Sequence, residues 1–226
     1  MGRQHDILTF DCYGTLIDWE SGIGGWFEKA AADDRVAVAP SDALAAYSEI
    51  EPQVEAESYR SYREVLAATA LRVARLFDWP LSPERASTLA ESLRSLEPFP
   101  DTNPALERLA ARGRRLGILS NVDDDLLSST LSHLTVRFTL LVTAQQVRSY
   151  KPALRHFERA REQIGKLRWL HAAQSHFHDV VPARRLGIPV AWINRKAEAP
   201  HHDIVPDLEV KTLAGLADRL DKLDIS

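Results

Sequence analysis

The sequence predicts a doubly wound, parallel α/β sheet with an all-helical segment inserted after its first strand. Three observations carry this. Five short apolar runs have the length and character of strands buried on both faces. Helical patterns separate most of these runs, which is the rhythm of a parallel sheet. The stretch from about residue 21 to about residue 98 holds no convincing strand and is rich in Ala, Leu, Arg and Glu.

The first run is Ile7 to Phe10, ending at Asp11 and a glycine-containing turn. The inserted segment follows. Val65, Leu66, Thr69, Leu71, Val73 and Leu76 recur there at helical spacing. Asp78-Trp79-Pro80-Leu81-Ser82-Pro83 interrupts it, with Ser82 placed to cap the next helix and Pro83 at its first position. Pro98-Phe99-Pro100 closes it. Helical patterns then cover Ala105 to Arg112, Asp124 to His133, Leu154 to Ile164 and Val181 to Leu186. The remaining strands are read at Leu116 to Leu119, Thr139 to Val142, Trp169 to Ala173 and Pro189 to Ile193. Gly187-Ile188-Pro189 is a helix stop leading into the last of them, and Leu213 to Leu223 reads as an amphipathic surface helix. The domains expected are a core, 1–20 with 99–226, and a helical insertion, 21–98.

Composition narrows the classes. Hydrophobic residues make up 45% of the 226, enough to fill a core. A net charge of −4 gives no reason to expect nucleic acid as a partner. The single cysteine, Cys12, allows no internal disulfide. The start MGRQHD has neither an apolar signal region nor a myristoylation pattern. No apolar run approaches the roughly 18 residues of a membrane span. The expectation is a soluble, cytoplasmic protein acting on a small molecule, with no membrane partner.

Four strand ends hold the chemistry: Asp11-Cys12-Tyr13-Gly14-Thr15, Leu119-Ser120-Asn121, Ser149-Tyr150-Lys151-Pro152 and Gln174-Ser175-His176-Phe177-His178-Asp179. Open α/β sheets bind ligands at these carboxyl ends. Together the four supply a carboxylate nucleophile, hydroxyl and amide donors, a cation and a second carboxylate. In this order they resemble the haloacid dehalogenase-like hydrolases, over essentially the whole chain. The phrase Asp11-Cys12-Tyr13-Gly14-Thr15-Leu16 is most similar to that of the type II 2-haloacid dehalogenases. The resemblance implies a Rossmann-like core with a helical cap. It implies catalytic roles for Asp11 as nucleophile, Lys151 as its counter-charge, Asp179 as orienter of Lys151 or of the hydrolytic water, and Thr15 as a hydrogen-bonding neighbour. Tyr13, Ser120, Asn121, Ser175 and His176 are expected around the substrate. A homodimer through the cap helices is left open by resemblance alone.

Tyr13 stands where phosphate-transferring relatives place a second aspartate. That acid protonates a departing alkoxide, a contribution of typically about 10²–10⁴-fold. A halide leaves as a stable anion and needs no proton, so the loss of the acid harms a phosphatase far more than a dehalogenase. Ala173-Gln174 stand where phosphatase relatives carry Gly-Asp, which leaves Asp179 and Asp11 as a poor oxygen set for Mg²⁺. No metal and no cofactor is expected for a dehalogenase; Mg²⁺ belongs to the phosphatase alternative. Three positions depart from the dehalogenase pattern. Tyr47-Ser48-Glu49 fall where a halide-cradling arginine is usual, with Arg60 and Arg63 the nearby candidates to replace it; Phe157 replaces a tyrosine, and His176 an asparagine.

Plainer roles weigh against several other groups. Cys12 reads as a small buried apolar side chain. His171, His176 and His178 suggest a metal cluster, but the pair His176-Phe177-His178 on a strand-end loop lacks the third ligand of a usual zinc site. Asp123-Asp124-Asp125 suit a helix N-terminus through its dipole. Trp19 and Trp26 read as packing, and His201-His202 as exposed loop. The alternatives to a dehalogenase are an Mg²⁺-dependent phosphatase of the same fold and a non-catalytic metabolite-binding protein.

Overall fold

In a computed structural model, residues 5–200 and 203–225 are described. The expectation for His201 and His202 lies outside the described residues. The elements run β1 (Ile7–Phe10), α1 (Trp19–Asp34), α2 (Pro40–Glu55), α3 (Tyr62–Leu76), α4 (Pro83–Ser87), α5 (Leu89–Ser92), α6 (Thr102–Ala111), β2 (Arg115–Ser120) and α7 (Asp124–Leu131). They continue with β3 (Leu140–Thr143), α8 (Ala144–Val147), α9 (Arg155–Ile164), β4 (Trp169–Ala173), α10 (Val181–Arg185), β5 (Val190–Ile193), β6 (Leu208–Val210) and α11 (Leu213–Ile225).

The six strands form one parallel sheet in the order β3-β2-β1-β4-β5-β6. This is the Rossmann-like order, whose reversal point lies between β1 and β4. β1 is therefore central, and its four residues are all buried. Thr9 pairs in register with Gly117 on one side and His171 on the other. Gly117 is required there: a Cβ would lie 2.9 Å from that of Leu140 and 3.2 Å from the Thr9 methyl. A core of Ile7, Leu119, Val142, Phe157, Ala160, Trp169 and Trp192, among others, fills in beneath α9 and α10. β6 is a correction to the five-strand expectation. It is three residues long, pairs only with β5 and has no fully buried side chain, so it lacks the apolar run that marks the others.

The chain forms two compact units: residues 1–17, 98–121 and 133–226 around the sheet, and residues 18–97 with 122–132, which are helical. In the helical unit, the cap of this fold, α3 buries Tyr62, Val65, Leu66, Thr69, Ala70, Val73 and Ala74. Leu71 and Leu76 fall off that face, and Leu76 is exposed. Trp19 and Phe27 both stack on Tyr47, with ring centroids 5.7 and 6.1 Å apart. Ser82 caps α4 as expected, accepting from the Arg85 N–H at 3.2 Å, with Pro83 in the first turn.

The aspartate cluster divides its work. Asp124 and Asp125 lie in the first turn of α7, where the dipole favours them. Asp123 instead caps a different helix. Its two carboxylate oxygens accept the backbone N–H groups of Tyr62 (2.9 Å) and Arg63 (3.1 Å), and a Ser61–Glu64 capping box completes the start of α3.

Candidate active site

Asp11 follows the last residue of β1, and its own N–H still reaches the Ala172 carbonyl of β4 at 3.1 Å. Gly14, at φ 90°, turns the chain back so that Tyr13 bridges Ile17. The turn brings the Thr15 hydroxyl to 2.8 Å from Asp11 Oδ2, to which it donates. Thr15 Oγ1 accepts the Gln174 N–H at 2.8 Å, which joins the loop after β1 to the loop after β4.

Lys151 lies in the loop between α8 and α9. Its ammonium donates to Asp11 Oδ1 (2.9 Å), the Leu119 carbonyl (2.9 Å) and Asp179 Oδ1 (2.7 Å). An ammonium has three donors, and all three are in use. Asn121 holds this loop from the end of β2. Its Oδ1 accepts the Lys151 N–H at 2.7 Å, and its Nδ2 donates to the Lys151 carbonyl at 3.1 Å.

Burial works against each of these charges, and the partners answer it. Burial raises the Asp11 carboxyl above its ordinary value of 3.8; Lys151 opposes this, and the Asp179 charge adds to it. Burial also acts to raise Asp179, but Lys151 and His171 outweigh it and hold the group at about 2. For Lys151, the two carboxylates overcome the desolvation that would lower it, so it stays cationic beyond the ordinary lysine range. Burial, followed by the Lys151 charge, takes His156 down to about 3. Its Nε2–H therefore donates to the Ser120 carbonyl at 3.1 Å. The Asp11 side chain keeps 11% of its surface exposed, whereas Lys151 and Asp179 keep 1% each. The reachable group of the cluster is the carboxylate of Asp11.

The family profile for haloacid dehalogenase-like hydrolase matches residues 5–174. The chain is 30% identical over 218 residues to the (S)-2-haloacid dehalogenase of Pseudomonas sp. (strain YL), covering 93% of this chain and 92% of that protein. This chain belongs to the haloacid dehalogenase-like hydrolases. A second relative, haloacetate dehalogenase H-2 of Moraxella sp. (strain B), is 27% identical, covering 85% of this chain and 87% of that protein. The fold matches the L-2-haloacid dehalogenase of Xanthobacter autotrophicus with chloropropionic acid covalently bound. That match has a TM-score of 0.84 at 20% identity, over 96% of this chain and 98% of that one.

In this hydrolase the residues expected around the substrate are placed unevenly. Ser120 is buried, and no described protein group reaches its hydroxyl. Tyr13 is half-buried in the turn after Asp11. Ser175 Oγ accepts the His178 N–H at 3.1 Å and so caps the wide helical turn His176–Val180 that carries Asp179. His176 is turned into the core, its ring against Trp192 and its Nε2–H donating to the Ile204 carbonyl at 3.0 Å. Arg60 pairs with Glu57, while Arg63 pairs with Glu91 and Asp125, all within the cap. Where the resemblance places an arginine, Tyr47 is buried and donates to Glu51 Oε1 at 2.8 Å. The hydroxyl of Tyr62 reaches the same oxygen at 2.6 Å. Cys12 is buried, as expected, and burial raises its thiol well above the usual range.

Two groups of functional neighbours escape the motif reading. Arg195 donates to the Thr15 carbonyl (2.9 Å) and to Asp101 (3.0 Å), and stacks 4.0 Å over the Phe99 ring. Thr9, Trp169 and His171 form a hydrogen-bonded file that ends on Asp179. Their signal was a polar side chain inside a fully buried strand, which has to find a partner.

Proposed function

We propose that this hydrolase removes halide from a small 2-haloacid through an ester on Asp11. One Asp11 oxygen attacks the halogen-bearing carbon, the carbon–halogen bond breaks, and the halide departs with the bonding pair. Water then adds to the ester carbonyl, passing a proton to Asp179. The tetrahedral intermediate collapses, the 2-hydroxyacid oxygen takes that proton back, and the carboxyl of Asp11 releases its remaining proton to solvent, which regenerates the nucleophile. Lys151 balances the two carboxylates throughout, and splitting the displacement in this way is the advantage of covalent catalysis.

The observation that carries this reading is the environment of Asp11. It is the least buried member of a buried cluster, held by Lys151 and Thr15, with a tyrosine in place of the acid an alkoxide leaving group would need. The names of the two relatives support the same substrate class. The donor set does not fit Mg²⁺, which prefers near-octahedral oxygen ligands. The two carboxylates share an ammonium ion, and the Gln174 amide is turned to Glu198 at 3.2 Å.

The test is halide release from L-2-chloropropionate and fluoroacetate in the presence of EDTA, for wild type and Asp11→Asn. Phosphate release from a generic phosphate ester with Mg²⁺ runs beside it. Halide release that disappears in the variant is the expected result. Phosphate release that needs Mg²⁺, with no halide, would overturn it.

A further inference from the structure

Thr9 and His171 are register partners on the two central strands, and both are fully buried. Trp169 lies two residues before His171 on β4, so their side chains share one face of the sheet. Trp169 Nε1–H donates to Thr9 Oγ1 at 2.7 Å. An indole nitrogen only donates, so the threonine oxygen is the acceptor. The ionised Asp179 carboxylate only accepts, so a neutral His171 carries its proton on Nε2 and the Thr9 hydroxyl donates to Nδ1, 2.8 Å away. Nε2 lies 2.9 Å from Asp179 Oδ1. The Phe157 ring meets the imidazole edge-on at 5.2 Å and fixes its plane.

Asp179 is thus held asymmetrically. Oδ1 accepts both Lys151 Nζ and His171 Nε2. Oδ2 is buried, and no described protein group reaches it. A carboxylate pinned through one oxygen presents the other in a single direction. We propose that His171 is a positioning residue for the hydrolytic step: Thr9 and Trp169 keep its proton on Nε2, it fixes Oδ1 of Asp179 together with Lys151, and Oδ2 is thereby aimed as the base for the water that opens the Asp11 ester. This rests on the dehalogenase reading above and goes beyond it by assigning the two halves of the reaction different dependence on one residue. His171 has no contact with the displacement of halide. It acts only where Asp179 takes and returns a proton.

The experiment follows both steps under rapid quench with L-2-chloropropionate, reading halide release and, by intact-protein mass, the ester on Asp11. In His171→Phe the first halide burst stays within about threefold of wild type, while ester hydrolysis slows on the order of 10²-fold and the ester accumulates. His171→Gln, whose amide N–H reaches close to the Nε2 position, restores hydrolysis to within about fivefold of wild type. Thr9→Val removes the Nδ1 anchor without altering His171, and slows the same step to a lesser extent; it decides the matter if His171→Phe does not fold. Nitrogen-15 NMR of the wild type, with the His171 signal assigned by its loss in His171→Gln, should find the proton on Nε2. Equal slowing of both steps, or no ester in any variant, overturns the proposal. A wild type that releases no halide removes the dehalogenase reading instead, and the tautomer then judges the relay alone: a proton on Nδ1 overturns it.

Discussion

Lys151 is the group on which the buried charges depend. Its ammonium is the cation between Asp11 and Asp179, and removing it strands two carboxylates away from water. Lys151→Met should abolish halide release and destabilise the fold by about 3–5 kcal/mol, read from urea denaturation, because an uncompensated buried charge is left behind. In the proposed reaction the ionised Asp11 is the nucleophile, and its carboxyl sits above the ordinary 3.8 because of burial. kcat/KM should therefore fall as pH drops through a value higher than 3.8. No alkaline limb from Lys151 should appear below its ordinary 10.5, because the carboxylates hold it cationic. That Asp11, Lys151 and Asp179 come together was legible from the order of the four charged and polar stretches, although Lys151 lies between two short helices rather than at a strand end. Thr9 and His171 were not legible, because inside a strand they look like fillers. His171 drew attention only as a metal ligand, beside two other histidines that the structure uses elsewhere. Among the described residues, no group of three or more His, Cys, Asp or Glu side chains gathers as a metal site.

Whether an element shows in the sequence follows its depth. β1, β2, β3, β4 and β5 are apolar runs because a parallel strand covered on both faces has no polar side to display. β6 breaks the rule at the edge, where alternate residues meet solvent and the run shrinks to Leu208 and Val210 about Glu209. α8 is a single turn of four residues, too short to show a helical period. The start of α3 was half legible: the Ser61–Glu64 box is local, but the cap from Asp123 arrives from 61 residues away. Asp123→Ala should cost about 1–2 kcal/mol in a denaturant melt, the usual worth of a side-chain cap, because two helix-end N–H groups lose their acceptor. Asp124→Ala, which removes only a dipole partner at the first turn of α7, should cost less than about 1 kcal/mol.

At the scale of the whole molecule, the turn after Asp11 is tied to the start of α11. Arg195, just past β5, holds the Thr15 carbonyl while sharing Asp101 with the N–H groups of Leu213 and Ala214 at the start of α11. Arg195→Met should leave substrate affinity near wild type but lower kcat, since it frees the turn that presents the Thr15 hydroxyl to Asp11. Steady-state kinetics check this, and Arg195→Lys should not rescue it, because an ammonium has no planar fork to stack on Phe99 while it reaches the Thr15 carbonyl and Asp101. The helical insertion between β1 and β2 was visible because a strandless stretch interrupts a strand–helix rhythm. The grouping of residues 122–132 with the helical unit was not, because it depends on contacts between segments far apart in the chain.

The central place of β1 also has a meaning in time. β1 comes before both of its sheet neighbours in the chain, so one edge waits for residue 115 and the other for residue 169. Thr9 meets His171 across a separation of 162 residues, and Lys151 meets Asp11 across 140. Pairings this distant in sequence close slowly and leave a nascent chain with an unpaired apolar strand. Asp11 is therefore synthesised well before the partners of its charge cluster, 140 residues later at Lys151. A half-made chain already contains Asp11 but lacks Lys151 and Asp179, the partners that complete its buried charge cluster.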